Sequence, residues 1–269
     1  MSLHKILVPV NYSKCSINGL LYAAHLAKEL NAKILILHAL NNNNVASDAQ
    51  IQTEIQRNKD KINMYCQDEP CLKDIMTDIF ISTHSAKKAI KNAVSTYDIN
   101  LIVMGTEGVK KPMKELVGSL TYHIIEKSEI PVLAIPNSTG YKPIDLIGYG
   151  VDYERVYDTR SLSVLKDFAY SFKSRLEIFH IRKYGDASRF LEPHEKAKLD
   201  GYFKGLTHEF EIIESDSIPD GLYEYVRKSN PSLVVLVPRK YPFFEWLDHE
   251  SLSEEAVQHL KIPVLTIPE

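Results

Sequence analysis

The chain has 269 residues and a mass of 30.7 kDa, enough for one large domain or two small ones that each bury an apolar core. Its 44% hydrophobic and 25% charged residues are typical of a globular protein and exclude a disordered or fibrous chain. Thirty-two basic and 35 acidic residues give a net charge of −3, so the chain has no bulk positive field to hold nucleic acid or an anionic membrane surface.

The apolar runs and the cysteines narrow the class of protein further. Even the longest apolar runs, such as 233–237, are far shorter than the ~20 residues that a membrane-spanning helix needs. A strand-like run, 5–10, comes so early that it leaves no room for a cleavable leader, and we therefore expect a cytoplasmic protein. Cys15, Cys66 and Cys71 are odd in number and lack paired metal-ligand spacing, which favours reduced thiols over a disulfide frame or a zinc site.

The first half of the sequence alternates short apolar runs with segments of helical period. In 16–30 the apolar residues recur every three or four positions, which predicts a helix with one buried face, and Ser13 or Ser16 can cap its start. Apolar strands between amphipathic helices are typical of a parallel sheet covered on both faces. In chain order, the sequence predicts strands at 6–10, 34–37, 75–81, 101–104 and 132–135, and helices at 16–30, 48–66, 86–96 and 119–127.

The second half of the sequence repeats the first. Residues 130–136 (Ile-Pro-Val-Leu-Ala-Ile-Pro) recur 132 positions later as 262–268 (Ile-Pro-Val-Leu-Thr-Ile-Pro), identical at six of seven positions. The same displacement aligns 101–104 with 233–236. Further upstream the displacement is 141 or 142, so the second copy is shorter in its middle.

A turn-rich segment, 137–143, separates the two copies and contains Gly140. It predicts a linker and two domains, 1–139 and 140–269. The fold class that follows is α/β, with two tandem five-stranded parallel-sheet sandwich domains.

Glycines cluster at the end of the predicted strand 101–104. Only four of the eleven glycines lie before residue 139, and three of them are Gly105, Gly108 and Gly118. Gly-x-x-Gly, nine residues and then Gly118-Ser119 at a helix start supply the unhindered backbone amides that phosphate oxygens need. A solvated turn is the alternative. The position at the carboxyl end of a parallel strand, where open α/β sheets bind ligands, favours a phosphate site.

This glycine spacing resembles that of the nucleotide-binding members of the universal stress protein family, which carry Gly-x-x-Gly, nine residues, then Gly-Ser or Gly-Thr. Residues 6–13 (Ile-Leu-Val-Pro-Val-Asn-Tyr-Ser) are similar to the family's first strand and turn, and His38 and both Pro-Val-Leu endings fit as well. Because both halves carry the resemblance, the sequence is identified as a tandem member. The resemblance implies a Rossmann-like fold whose two copies pack as an intramolecular pseudo-dimer.

The resemblance also implies ATP as the ligand, with magnesium held through the phosphates. The glycine loop would hold the phosphates, and the ends of the first two strands would hold adenine and ribose. The family's usual aspartate after the first strand is Asn11 here, which keeps one acceptor oxygen and gains a donor. The expected cofactor-binding residues are Pro9, Val10, Asn11, Ala39, Met104, Gly105, Thr106, Gly108, Gly118, Ser119, Leu120 and Thr121.

The second copy lacks the three glycines. Their counterparts are Val237, Lys240 and Glu250. Side chains would occupy the space where backbone must approach the phosphates, and Glu250 would bring a carboxylate there, so we predict one nucleotide per chain. Asp152 aligns with Asn11, and we expect it to cap the following helix; the alternative is that it contributes to a shared site.

Other polar residues do not indicate an enzyme. His38 and His180 share one strand-end position in the two copies, and no second ligand at metal spacing lies near either, which favours structural hydrogen bonds. No Ser-His-Asp or Cys-His arrangement is recognisable. We assign no catalytic or metal-ligating residue and leave slow ATP hydrolysis open.

Three functions compete at this point. The leading one is an ATP-binding, regulatory or protective stress-response protein. The alternative is a nucleotide-independent scaffold or small-ligand-binding stress protein. A nucleotidyl transferase of a related superfamily is disfavoured because its His-x-Gly-His signature is absent. The expected partner is an adenine nucleotide, with no nucleic acid and no membrane; a protein partner and a homodimer stay open. We also expect the edge strands 132–135 and 264–267 to pair antiparallel.

Overall fold

A computed structural model describes residues 3–40, 47–106, 119–151, 159–185, 193–237 and 261–268. The chain divides into two compact units. The first unit comprises the described residues of Ser2–Thr106 together with Val132–Tyr141. The second unit comprises those of Lys142–Glu269 together with Glu107–Pro131.

The first unit holds a parallel sheet with helices between its strands. The elements are β1 Lys5–Pro9, α1 Lys14–Leu30, β2 Lys33–Ala39, α2 Asp48–Asp68, β3 Thr77–Ser82, α3 Ala86–Thr96, β4 Leu101–Thr106 and β5 Val132–Pro136. The strands lie in the order β3-β2-β1-β4-β5, and the described neighbours all pair in parallel. Ile6, Leu7 and Val8 of β1 are fully buried because this strand lies in the middle of the sheet.

The second unit has a sheet with the same connectivity. The elements are α4 Ser119–Lys127, β6 Leu146–Gly150, α5 Thr159–Phe172, β7 Arg175–Lys183, α6 Pro193–Tyr202, β8 His208–Ser215, α7 Ile218–Ser229, β9 Leu233–Leu236 and β10 Val264–Thr266. The strands lie in the order β8-β7-β6-β9-β10, again with parallel pairs. Tyr225 of α7 is fully buried and stacks on Phe179 with ring centroids 3.8 Å apart, and a Cβ on Gly148 would collide with the Tyr225 ring.

The predicted fold class is confirmed: both units contain a five-stranded parallel sheet with alternating strands and helices. The predicted elements of the first half all occur, with ends shifted by a few residues. The packing of the copies as a pseudo-dimer and the pairing of their last strands stay predictions. No helix among the described residues is both long and apolar enough to cross a membrane.

Helix α1 ends where the sequence predicts, at Leu30, and begins two residues earlier than predicted, at Lys14. The Ser13 side chain accepts a hydrogen bond from the Ser16 amide at 3.2 Å, so Ser13 is the N-cap. Asn31 adopts the left-handed conformation with φ of 51° and ends the helix. Small side chains on its buried face, Gly19, Ala23 and Ala24, let α1 lie close to the sheet.

Asn18 of α1 holds the turn that follows β5. Its side-chain Nδ2 donates to the carbonyl oxygens of Pro136 at 3.1 Å and of Thr139 at 3.0 Å. His25, two turns further along α1, stacks on Tyr141 with ring centroids 4.7 Å apart. The start of the predicted linker is therefore fixed to the first unit.

We expect Asn18→Ala to lower the free energy of unfolding by about 1–2 kcal/mol, because both hydrogen bonds to the turn are lost. Denaturant titration measures the difference. Asn63→Ala, at an exposed position of α2, is the matched control and should stay within about 0.5 kcal/mol of the parent. Equal stabilities of the two variants would contradict the role given to Asn18.

Candidate functional site

The strand order of the first unit creates a crevice at the carboxyl edge of its sheet. Strands β1 and β4 are neighbours, but β1 connects through α1 to β2 on one side, whereas β4 lies beside β5 on the other. Connections that leave in opposite directions open a gap outside the carboxyl ends of the two strands, and this switch point is where open α/β sheets bind ligands. The ends of β1, β2 and β4 therefore define the candidate site.

At the end of β1, Pro9 lies in register with Leu37 of β2, and the Val10 amide donates to the Leu37 carbonyl at 2.7 Å. Val10 is buried and Asn11 is exposed. The Asn11 side-chain oxygen accepts from the Ser13 amide at 3.1 Å, and the Asn11 amide donates to the Ser16 hydroxyl at 3.2 Å. Asn11 thus belongs to the turn that starts α1 while its side chain remains accessible at the edge.

His38 fixes the end of β1 against β2. Its Nδ1 lies 2.7 Å from the Val10 carbonyl oxygen. Because a carbonyl only accepts, Nδ1 carries the proton. His180 makes the same contact with the Val151 carbonyl at 2.9 Å in the second unit. The structural interpretation of both histidines is confirmed.

At the end of β4, the structure corrects the strand boundary. The sequence prediction ends the strand at Met104, but Gly105 and Thr106 continue it, in register with Ile135 and Pro136 of β5. The Thr106 hydroxyl is buried and donates to the Ile135 carbonyl at 3.3 Å. The strand continues because β5 is long enough to pair with these two residues.

Gly105 is also the contact point of helix α1. A Cβ on Gly105 would overlap the carbonyl oxygen of Cys15, and a Cβ on Gly19 would lie 2.7 Å from the Gly105 nitrogen. The sequence interpretation explains Gly105 only as an unhindered backbone amide for phosphate binding. The structure shows a second reason for glycine here, because the first turn of α1 packs against bare backbone.

The remaining predicted site residues are divided between the units. Ala39 is half-buried at the end of β2, in register with Ser82. In the second unit, α4 begins at Ser119, with Leu120 half-buried and Thr121 buried. Gly108 and Gly118 lie outside the described residues, so the predicted glycine loop as a whole stays a prediction.

Sequence reasoning missed a contact that joins α2 to the turn after β1. Tyr12 has a positive φ of 63°, which is rare for an aromatic residue. Its hydroxyl donates to Asn58 Oδ1 at 2.8 Å, and the Lys61 ammonium lies 3.6 Å from the centre of its ring. The Tyr12 ring also packs against His38, with centroids 4.8 Å apart. The i, i+3 spacing of Asn58 and Lys61 was the only sequence signal, and it is common in exposed helices.

In the second unit, Val237 follows β9 at the position equivalent to Gly105, and its side chain is buried. The other counterparts, Lys240, Glu250 and Asp152, lie outside the described residues. Within the described ranges, no group of three His, Cys, Asp or Glu side chains is arranged to hold a metal ion.

Comparison with known proteins identifies the family of this chain. Residues 2–136, half of the chain, match the universal stress protein family. The chain belongs to the universal stress protein family. The matched residues include all five strands of the first unit.

Individual relatives of this universal stress protein agree with that placement. Universal stress protein YxiE of Bacillus subtilis (strain 168) is 24% identical over 145 residues, which cover 49% of this chain and 98% of YxiE. A universal stress protein from Archaeoglobus fulgidus DSM 4304 superposes with a TM-score of 0.77 at 18% identity, covering 100% of this chain and 99% of the other.

A functionally unknown protein from Pseudomonas aeruginosa PAO1 superposes on this universal stress protein with a TM-score of 0.62 at 14% identity, covering 99% of this chain and 93% of the other. At these identities the structural comparisons establish the fold alone. The function must be argued from the residues of the site.

We expect Gly105→Ala to destabilise this universal stress protein by about 3 kcal/mol, because the added methyl group would overlap the Cys15 carbonyl and force α1 away from β4. Thermal and denaturant unfolding measure the change. Gly140→Ala is the matched control, since a Cβ at Gly140 meets nothing within 4 Å. A Gly105→Ala protein as stable as the control would show that α1 does not need this close approach.

We expect Tyr12→Phe to speed amide hydrogen exchange in α2 around Asn58, because the substitution removes only the hydrogen bond that holds the helix to the turn, worth about 1 kcal/mol. Tyr97→Phe is the control, because the structure shows the Tyr97 ring in contacts with Phe80 and Lys5 but no hydrogen bond of its hydroxyl to a described residue. Unchanged exchange in α2 would mean that the contact does not restrain the helix.

Proposed function

We propose that this universal stress protein binds ATP at the carboxyl edge of its first unit and acts as a regulatory or protective stress-response module. The observation that carries the proposal is the switch point between β1 and β4, where an exposed Asn11 and a side-chain-free Gly105 lie at the ends of neighbouring strands. The family resemblance indicates that the ligand is a nucleotide, and the strand order indicates where it would bind.

The residues at this edge fit a nucleotide. Ala39, half-buried at the end of β2, offers a small apolar side chain that suits the flat face of a base, and Val10 is buried at the end of the adjacent strand. The side-chain amide of Asn11 is accessible for a polar contact with base or ribose. The family resemblance assigns the phosphates to the backbone amides of Gly105, Gly108, Gly118 and Ser119, of which Gly105 lies at this edge.

Magnesium is assigned to the phosphates of the nucleotide. Mg²⁺ keeps several waters and commonly binds through substrate phosphates and one or two carboxylates. Three described segments form the strand ends of the site: residues 9–13 after β1, Ala39 at the end of β2 and Thr106 at the end of β4. None of these described residues carries a carboxylate. We therefore assign no protein ligand to the ion.

The site is proposed to bind rather than to catalyse. The Thr106 hydroxyl at the end of β4 is already engaged, because it donates to the Ile135 carbonyl. His38 donates from Nδ1 to the Val10 carbonyl, so the lone pair of its ring is on Nε2, and the ring packs against Tyr12. We place ATP as a bound effector and leave hydrolysis outside the proposal.

We expect calorimetric titration with Mg-ATP to give one site per chain, because the second copy carries Val237, Lys240 and Glu250 in place of glycines. Gly118→Glu, which copies the second half into the first, should abolish binding through steric clash and charge repulsion. Gly140→Glu introduces the same charge in the exposed linker and should bind normally. Two equivalent sites, or normal binding by Gly118→Glu, would contradict the assignment.

A nucleotide-independent scaffold or small-ligand-binding stress protein is the second candidate. The contact of Gly105 with Cys15 and Gly19 favours it, because this packing explains one glycine of the motif without any ligand. Mass spectrometry of ligands that copurify with the protein separates the two. An adenine nucleotide supports the first candidate, and an apolar compound without any thermal stabilisation by Mg-ATP supports the second.

A further inference from the structure

The orientation of the Asn11 amide is fixed by its hydrogen bond to the turn. The Ser13 backbone N–H donates to Asn11 Oδ1 at 3.1 Å. A backbone N–H can only donate, so the oxygen, and not the nitrogen, must face Ser13. The Ser16 hydroxyl completes the turn by donating to the Ser13 carbonyl at 3.0 Å while accepting from the Asn11 amide.

This arrangement leaves Nδ2 as the outward group of Asn11. The residue is exposed, and Nδ2 has no partner among the residues that the structure describes. Nδ2 is a donor only, with two N–H bonds. An aspartate here could make the same turn with one oxygen, but it would present its second oxygen, an acceptor, to the ligand. The asparagine therefore reverses the hydrogen-bonding polarity of the site without altering the turn.

The surroundings of Asn11 also favour an acceptor. Residues 10–16 include Lys14 and no acidic side chain, and the first turn of the 17-residue helix α1 carries none. The positive end of the helix dipole is thus not neutralised by its own first turn. Lys61 lies over the ring of Tyr12, the next residue in the chain, and adds a cation to the same loop.

We infer that Asn11 selects nucleotides that place a hydrogen-bond acceptor, rather than a donor, against its Nδ2. The inference rests on the proposed function and refines its substrate class. Two changes to ATP replace a donor by a group that only accepts: the carbonyl oxygen of a 6-oxopurine in place of the 6-amino group of adenine, or an ether oxygen in place of a ribose hydroxyl.

The test compares ligands that differ in one donor. ITP replaces the amino group of ATP by a carbonyl oxygen and reports on the base; 2′-O-methyl-ATP and 3′-O-methyl-ATP remove one hydroxyl proton each and report on the ribose. Dissociation constants are measured for the parent chain and for Asn11→Asp. Asn31→Asp is the matched control, because Asn31 ends α1 at the amino edge of the sheet, in a left-handed conformation that aspartate also adopts.

In the parent chain, at least one of the three analogues should bind no more weakly than ATP. In Asn11→Asp, the same analogue should lose about fivefold or more relative to ATP, the effect of one hydrogen bond, because a carboxylate cannot donate to it. The control should keep the parent's ratios. If Asn11→Asp leaves all three ratios unchanged while ATP still binds, the inference is wrong. If neither ATP nor any analogue binds the parent chain, the proposed function itself fails.

Discussion

The approach of helix α1 to strand β4 is the contact on which the candidate site depends. Gly19 and Gly105 bring the two backbones within a distance that a single methyl group would prevent. The first turn of α1 is thereby held at the end of β4. The Ser13 amide at the start of this turn donates to the Asn11 side chain, and the Ser16 hydroxyl accepts from the Asn11 backbone amide. The Gly19–Gly105 pair therefore determines the position of the Asn11 side chain, which follows β1, relative to the end of β4.

Much of this architecture could be predicted from residue patterns. Apolar strands separated by amphipathic helices indicate a parallel sheet, and the structure contains it with the order β3-β2-β1-β4-β5. Local chemistry restricts the cap of α1 to Ser13 or Ser16, and the structure shows that it is Ser13. The end of β4 was misplaced because glycine has a low strand propensity, whereas tertiary pairing with Ile135 and Pro136 decides the conformation of Gly105 and Thr106.

The contacts that the sequence could not predict join residues far apart in the chain. Tyr12 and Asn58 are 46 positions apart, and only the packing of α2 brings them together. The close contact of Gly105 with Cys15 was equally invisible, because a glycine after a strand fits a turn, a phosphate loop or a packing contact. The direction of the Asn11 amide depends on a hydrogen bond whose geometry no composition or spacing encodes.

A comparison of the two units distinguishes the features that the fold requires from those that occur only in the first unit. The histidine that donates to the backbone after the first strand occurs in both, as His38 and His180, so this hydrogen bond belongs to the fold. Glycine at the end of the fourth strand occurs only in the first; Val237 takes its place in the second and is buried. A sheet of this order therefore accepts a side chain at that position. The lack of a side chain at Gly105 is therefore not a general requirement of the sheet. It occurs in the unit whose turn residues Asn11, Ser13 and Ser16 form a hydrogen-bonded network.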